Sequence, residues 1–266
     1  MKIGIFDSGL GGLVIAKSIL KRLPKYDYIY LGDTKNLPYG EKTPTQIYRY
    51  TKNAVDFMFK QNCQLVIVAC NTSSALALRR LQQKYLPKNY PNRRILGVVV
   101  PTLEVAYNKH RRKKIGVIGT SATINSHIYK KELSKIDKKA KIFELATPKL
   151  VPLIEKNSLQ NAAKTLKLYL KTLQDKNIDA LILGCTHYPL LKKEIREVIG
   201  RGVDVISQDE IIPDKLTSYL QKHSEMERAL AKNSSRDFYV TKLNKNFEAV
   251  AKRLFGKKLV LNSITL

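Results

Sequence analysis

The chain alternates short apolar runs with amphipathic stretches, and this alternation constrains its fold more than any other feature. The runs are short and consist largely of β-branched and aliphatic residues, so each predicts a buried strand of a parallel sheet. Strands that alternate with helices in this way form α/β folds with right-handed crossovers. The predicted strands are residues 2–6, 28–31, 65–69, 95–100, 114–119, 141–146, 180–184 and 203–207.

Helix signals support the same fold class. Pro44 and Thr45 open a segment that reads as helical up to Gln61. Asn157 and Ser158 precede the periodic stretch LQNAAKTLKLYLKTL. Proline at a first helical position and a short polar residue before an apolar repeat are typical helix starts. The architecture is therefore α/β rather than all-β.

The two halves of the chain resemble each other. IGIFDSG begins at Ile3 and the similar IGVIGTS begins at Ile115. Cys70 and Cys185 are separated by a similar number of residues, and each follows a predicted strand in its own half. We therefore expect two pseudo-symmetric lobes, each a mostly parallel sheet flanked by helices, with the active site in the cleft between them. The expected boundaries are residues 1–98 with a returning segment 208–266 for the N-terminal lobe, and residues 99–207 for the second lobe.

Cys70 and Cys185 stand where an apolar run gives way to short polar residues, Asn71-Thr72 in one case and Thr186-His187 in the other. In open parallel sheets the ligand crevice lies outside the carboxyl ends of the strands. A helix starting there would stabilise a thiolate, lower its pKa and bind a carboxylate through its free N–H groups. The pattern predicts one site with two acid/base thiols that suits an amino-acid substrate.

Cys63 is expected to play no catalytic part. It precedes a predicted strand, near a helix end, and reads as a small apolar side chain. The odd number of cysteines and the lack of zinc-ligand spacing argue against both a disulfide framework and a metal site.

Other site classes match poorly. Gly9, Gly11 and Gly12 follow a strand, but the third glycine of a dinucleotide-binding fingerprint would fall on Val14. A phosphatase loop needs arginine where Leu76 and Leu191 stand. The sequence contains no Walker A loop, no G-x-S-x-G elbow and no HExxH helix. We therefore expect no nucleotide and no metal at the site.

The formal net charge of +26 favours anionic partners. The densest basic run, residues 109–114, is accompanied by no nucleic-acid-binding motif, and most of the charge is dispersed. We interpret it as a lysine-rich solvated surface and expect no nucleic-acid partner. No stretch is apolar enough for a membrane span and the N-terminus has no signal-peptide layout, so we expect a cytoplasmic protein without a membrane partner.

Several motifs together resemble the cofactor-independent glutamate racemases, over nearly the whole chain. They are IFDSGLGGL, YLGDTKNLPYG, VACNTSSA, GVVVPT, IGTSATINS, LVPLIE, LGCTHYPLL and the closing FYVT…F…A…RLFG. The resemblance implies interconversion of L- and D-glutamate without pyridoxal phosphate, metal or nucleotide, as a supply of D-glutamate for peptidoglycan. It also implies two α/β lobes and a homodimer.

The resemblance assigns roles by position. Cys70 and Cys185 match the two acid/base residues on opposite faces of the substrate α-carbon, and Asp7 and His187 match the side chains that assist them. The matched substrate contacts are Asp7, Ser8, Tyr39, Gly40, Asn71, Thr72, Thr186 and His187, with Thr123 as a further addition. Asp33 and Glu155 match acidic positions near the site.

The chain departs from the family pattern at Thr147, where a cysteine is common, at Leu150, where an aromatic residue is common, and at Ser207-Gln208, which replace an acidic-serine pair. These departures leave the packing of the lobes and any regulatory pocket open. Two alternatives also remain: an aspartate or broad-specificity racemase of the same family, and a basic nucleic-acid-binding protein on an inactive racemase scaffold.

Overall fold

The structure, a computed structural model, describes residues 1–109 and 114–266. Residues 110–113 of the basic run lie outside the described residues. The strands are β1 (Lys2–Asp7), β2 (Tyr28–Gly32), β3 (Cys63–Val68), β4 (Arg94–Gly97), β5 (Lys114–Gly119), β6 (Lys141–Ala146), β7 (Ala180–Gly184), β8 (Asp204–Ile206), β9 (Arg236–Val240) and β10 (Leu261–Ser263).

The strands form two parallel sheets. The first sheet has six strands in the order β10-β9-β2-β1-β3-β4, and the second has four in the order β6-β5-β7-β8. Every strand pair is parallel. The expectation of an α/β fold built on two parallel sheets is confirmed.

Helices cover the sheets and connect their strands. They are α1 (Gly11–Arg22), α2 (Pro44–Lys60), α3 (Asn71–Leu76), α4 (Leu78–Arg80), α5 (Leu86–Asn89), α6 (Val99–Lys109), α7 (Ser121–Asn125), α8 (Ile128–Ile136), α9 (Leu150–Glu155), α10 (Leu159–Gln174), α11 (Lys192–Ile199), α12 (Gln208–Lys222), α13 (Ser224–Ala229) and α14 (Lys245–Phe255). A π-helical turn spans Leu81–Tyr85, and 3₁₀ turns span Tyr39–Glu41 and Tyr188–Leu191. Among the described residues no helix is both long and apolar enough to cross a membrane.

Both helix starts expected from the sequence are confirmed, because α2 begins at Pro44 and α10 begins just after Ser158. The strand expected over residues 95–100 is too long, since β4 ends at Gly97 and α6 begins at Val99. Pro101 lies in the first turn of α6, where its missing N–H costs no hydrogen bond. The β-branched valines before it therefore enter a helix despite their preference for strands.

The strands are buried because helices lie on both faces of each sheet. Every residue of β3 and of β7 is buried. Cys63 is the first residue of β3 and is fully buried beside Met58 and Phe59 in one core cluster. Its expected role as a small apolar side chain is confirmed, although it lies within the strand rather than before it.

Candidate active site

The first cysteine lies at the carboxyl end of the first sheet. Cys70 follows β3 and is the N-cap residue of α3, with 4% of its surface exposed. Its Sγ lies 3.5 Å from the Ser8 hydroxyl, which follows the neighbouring strand β1. Adjacent parallel strands thus bring Asp7, Ser8 and Cys70 together, as expected for groups at the same sheet edge.

Burial dominates the chemistry of this thiol. Burial, followed by the negative charge of Asp7, raises the pKa of Cys70 to about 11. Donors from Ser73 and Ser8 oppose the rise but do not reverse it. The expectation that the helix start would lower this pKa is wrong, because α3 is short and removal from water outweighs the field of its N-terminus.

Asp7 is fully buried at the end of β1. Its Oδ1 accepts a hydrogen bond from the Gly9 N–H at 2.9 Å, and its Oδ2 accepts one from the Thr186 hydroxyl at 3.1 Å. Burial raises its pKa to about 6, although the charge of His187 opposes the rise. Asp7 therefore links the first sheet to the polar turn that follows β7.

The second cysteine lies at the carboxyl end of the second sheet. Cys185 follows β7, is 6% exposed and has its Sγ 3.6 Å from Nδ1 of His187. The helix expected directly after it is absent, since the chain forms a 3₁₀ turn at Tyr188–Leu191 and α11 begins only at Lys192.

His187 is the polar partner of Cys185, where no helix start is present. Nε2 of His187 lies 2.6 Å from Oε1 of Glu155. Although burial disfavours the charged imidazole, the contacts with Cys185 and Glu155 raise the pKa of His187 well above its ordinary value. The imidazole therefore carries a positive charge beside the Cys185 sulfur.

The turn that carries Thr186 and His187 packs tightly on the start of α1. A Cβ on Gly11 would lie 2.6 Å from the backbone nitrogen of His187 and equally close to Thr186. Oε1 of Glu155 also accepts a hydrogen bond from the Leu10 N–H at 3.1 Å. The glycine-rich segment therefore packs closely against the turn that carries Thr186 and His187.

Three hydroxyls meet between the two sheets. Thr72 on α3 lies 2.9 Å from Thr120 and 3.1 Å from Thr123, which are themselves 2.9 Å apart. Thr120 caps α7. Gly40 lies close to it, because a Cβ built on Gly40 would be 2.7 Å from the Cβ of Thr120. Thr72, Thr123 and Gly40, three of the residues singled out from the sequence, are thus brought together.

Asp33 holds the side chain of Tyr39 by a hydrogen bond. Oδ2 of Asp33 accepts a hydrogen bond from the Tyr39 hydroxyl at 2.6 Å, and Oδ1 accepts one from Thr241 at 2.7 Å. Asn36 donates to both oxygens. The phenol of Tyr39 is thereby directed to Asp33, so the main chain of Tyr39 and Gly40 faces Thr120.

Asn71 is held by two residues that sequence reasoning did not place in the site. Its carboxamide forms a reciprocal pair with that of Gln208, with both N···O distances 2.7 Å, and accepts a hydrogen bond from Tyr129 at 2.8 Å. Thr120 was also missed. The sequence singled out Gln208, because it departs from the family pattern. Nothing in the sequence singled out Thr120, which lies in a family motif, or Tyr129, which lies near one.

The departure at Thr147 has a local explanation. Thr147 is fully buried, its hydroxyl donates to the carbonyl of Gly119, and it lies at 2.5 Å from the Tyr188 hydroxyl. A threonine thus bridges the end of β5 to the turn after Cys185 by hydrogen bonds. Leu150, the second departure, is a fully buried core residue.

The site is closed in this conformation. A cavity of about 440 Å³, lined in part by residues of α3, α6 and α12, includes neither Cys70 nor Cys185. Within the described part of the chain no group of side chains has the makings of a metal site. Two buried thiols at the ends of two sheets, each with its own polar partners, supply two groups that can give or accept a proton.

Comparisons with known proteins agree with this arrangement. The profile of the Asp/Glu/Hydantoin racemase family matches residues 14–211. A glutamate racemase of Aquifex pyrophilus is 40% identical over 259 residues, which are 97% of this chain and 95% of that protein. A crystal structure of a glutamate racemase isoform from Bacillus anthracis superposes with a TM-score of 0.89 at 33% identity, covering 100% of this chain and 97% of that one. The glutamate racemase of Francisella tularensis, solved in complex with D-glutamate, gives a TM-score of 0.86 at 31% identity, with 100% and 97% covered. The chain therefore belongs to the Asp/Glu/Hydantoin racemase family.

Proposed function

We propose that this protein is a glutamate racemase that interconverts L- and D-glutamate with two cysteines and no cofactor. The observation that carries the proposal is the position of Cys70 and Cys185 at the carboxyl ends of two different sheets, each beside its own polar partner. The similarity to glutamate racemases over 97% of the chain supports glutamate as the substrate.

In the proposed reaction one cysteine, as thiolate, takes the α-proton while the other, as thiol, gives a proton to the opposite face. The C–H bond breaks on one side as a C–H bond forms on the other, and the two sulfurs exchange protonation states. The raised pKa of Cys70 supports a thiol at that position in the resting form.

Further roles are proposed for the surrounding groups. The N–H groups at the start of α3, from Asn71 and Thr72, are free of helical partners and suit a carboxylate. The hydroxyls of Thr72 and Thr123 supply neutral donors for the developing negative charge. Thr186, whose hydroxyl proton goes to Asp7, is a further proposed contact. Additional proposed contacts are Asp7, Ser8, Tyr39, Gly40 and His187, with Asp7 at the substrate ammonium.

The test is racemisation of each glutamate enantiomer by purified protein without added cofactor, followed by circular dichroism. We expect wild type to reach equal amounts of the two forms, and Cys70→Ala and Cys185→Ala to lose at least about 100-fold in rate. In D₂O each variant should exchange the α-proton of one enantiomer only, and the two variants should prefer opposite enantiomers, because each thiol faces one side of the carbon.

Cys63→Ala is the matched control, since Cys63 is an equally buried thiol in the core of the first sheet. It should racemise glutamate at nearly the wild-type rate. Full racemisation by either Cys70→Ala or Cys185→Ala would overturn the two-thiol mechanism.

An aspartate or broad-specificity racemase is the alternative, because the family profile spans both amino acids. Specificity depends on the distance from the thiols to the group that holds the distal carboxylate. Comparison of kcat/KM for glutamate and aspartate decides between them. The cytoplasmic location, the homodimer and the supply of D-glutamate for peptidoglycan stay predictions, as do the lobe boundaries at residues 98/99 and 207/208.

A further inference from the structure

We propose that Gln208 is a positioning residue: with Tyr129 it holds Asn71 as a latch between the two sheets, which keeps the cleft closed and the two thiols aligned. The role in turnover rests on the proposed function. The role in closure rests on the geometry of the three side chains alone.

The three side chains come from different parts of the fold. Asn71 follows β3 of the first sheet, whereas Gln208 is the first residue of α12, directly after β8 of the second sheet. Tyr129 lies on α8, which follows β5 of the second sheet. The hydrogen bonds among them therefore join the carboxyl ends of the two sheets.

The Asn71 carboxamide is occupied by this network. Its Nδ2 donates to Gln208, and its Oδ1 accepts from both Gln208 and Tyr129, at 2.7 to 2.8 Å. The three residues are at most 2% exposed, so water does not compete for these bonds. A reciprocal amide pair removed from water is costly to break on one side, because the remaining amide loses its partners.

The latch is connected to both thiols. Asn71 follows Cys70 directly and opens the helix that Cys70 caps. Tyr129 packs beside the residue that precedes Cys185, since a Cβ on Gly184 would lie 3.4 Å from its ring. Burial raises the pKa of Tyr129 well above its ordinary range, so Tyr129 stays a neutral donor. A shift of Asn71 away from Gln208 and Tyr129 would therefore change the placement of Cys70 relative to Cys185.

Gln208→Met and Tyr129→Phe test the latch. Methionine keeps the length of the side chain without a hydrogen-bonding amide, and phenylalanine removes only a hydroxyl. Gln64→Met is the matched control, because Gln64 is also a buried amide and donates a hydrogen bond to the carbonyl of Asn92. Gln64 lies near the start of β3, at the end of the strand away from Cys70.

The first measurement is alkylation of Cys70 and Cys185 by iodoacetamide, followed by peptide mass spectrometry. We expect about tenfold faster modification in Gln208→Met, a smaller acceleration in Tyr129→Phe, and the wild-type rate in Gln64→Met, because an unpaired Asn71 opens the cleft more often. Equal rates in all four proteins would overturn the latch.

The second measurement is the kinetics of glutamate racemisation. Gln208→Met should lose about tenfold in kcat while KM changes by less than about threefold, because the latch aligns the thiols and Gln208 is not among the proposed substrate contacts. A kcat equal to that of Gln64→Met would contradict the positioning role. If Gln208→Met does not fold, Tyr129→Phe decides the question in both measurements.

The two proposals fail separately. A wild-type protein that does not racemise glutamate contradicts the proposed function, while the alkylation rates still decide whether Gln208 closes the cleft. Wild-type turnover with unchanged alkylation and kinetics in the variants contradicts the latch alone.

Discussion

His187 is a cation that the protein maintains in a buried place. Its charge depends on Glu155, whose Oε1 is 2.6 Å away and which also binds the Leu10 N–H. Removal of the carboxylate's charge leaves Cys185 and the charge of Asp7 to oppose the burial that disfavours the imidazolium. A single oxygen atom thus joins the electrostatics of the second thiol to the start of α1.

We predict that Glu155→Gln lowers the pKa of His187, because it removes the carboxylate charge that favours the imidazolium. The alkaline limb of the kcat/KM profile should then move to lower pH, because the imidazolium loses its proton earlier. Glu144→Gln is the matched control, since Glu144 pairs with the exposed His127 at 2.8 Å. A profile in Glu155→Gln identical to that of wild type would show that the charge on His187 is not needed.

Asp7 destabilises the folded protein when it is ionised. Its pKa is 3.8 in an unfolded chain and about 6 in the fold, so the folded state holds the proton more tightly. The contribution of Asp7 to the free energy of unfolding is complete below pH 3.8 and is lost as the pH rises through about 6. The difference between the two pKa values corresponds to a loss of about 3 kcal/mol in that free energy above this range.

We therefore predict that Asp7→Asn raises the free energy of unfolding at pH 8 by about 1–3 kcal/mol, with little change near pH 4, while activity is lost. Urea denaturation at the two pH values measures this. Asp27→Asn is the opposing control: although burial disfavours its charge, donors from Ser235 and Asn233 lower the pKa of Asp27. It should be less stable than wild type at pH 8, and equal behaviour of the two variants would contradict the argument.

At the scale of elements, α1 and the turn after β7 fit together because Gly11 has no side chain. Gly11→Ala would press a Cβ against the backbone of Thr186 and His187 at 2.6 Å. Backbone atoms cannot move aside as a flexible side-chain end does, so the turn must shift away from α1.

We predict that Gly11→Ala lowers the free energy of unfolding by about 1–3 kcal/mol and reduces kcat, because the same turn carries His187. Thermal unfolding and racemisation assays measure the two effects. Gly202→Ala is the matched control, since nothing lies within 4 Å of a Cβ at that position. An unchanged melting temperature and rate in Gly11→Ala would show that the turn adapts freely.

At the scale of the whole molecule, the net charge of +26 acts on any anion that approaches. Glutamate carries two carboxylates and one ammonium group, so its net charge is opposite to that of the protein. We predict that kcat/KM falls several-fold between about 20 and about 300 mM salt, while kcat changes little, because screening shortens the range of the attraction. A kcat/KM that does not change with salt would show that the net charge does not assist the approach of glutamate.

The strand ends could be predicted because the signal is local. Short β-branched runs ended at Asp7, Cys70 and Cys185, and parallel sheets place such ends on one edge. Interactions across the molecule could not be predicted in this way. The pairing of Gln208 with Asn71 joins residues 137 positions apart, and the pKa of Cys70 depends on burial that only the closed fold creates.

The local errors concern the backbone conformation after a strand. Val99 and Val100 enter α6 rather than extending β4, and a 3₁₀ turn follows Cys185 in place of the expected helix. In both places the apolar pattern reports that the residues are buried and does not report which backbone conformation they adopt.

The order of strands in the first sheet has a consequence for synthesis on the ribosome. β2 lies between β1 and β9, so one of its edges pairs only with residues 236–240. Until those residues leave the ribosome, the buried segment YIYLG presents an unpaired edge, which is a template for association with other chains. We expect the nascent chain to need protection by a chaperone until residues 236–240 have been made, and release of chains arrested before residue 236 to yield aggregates.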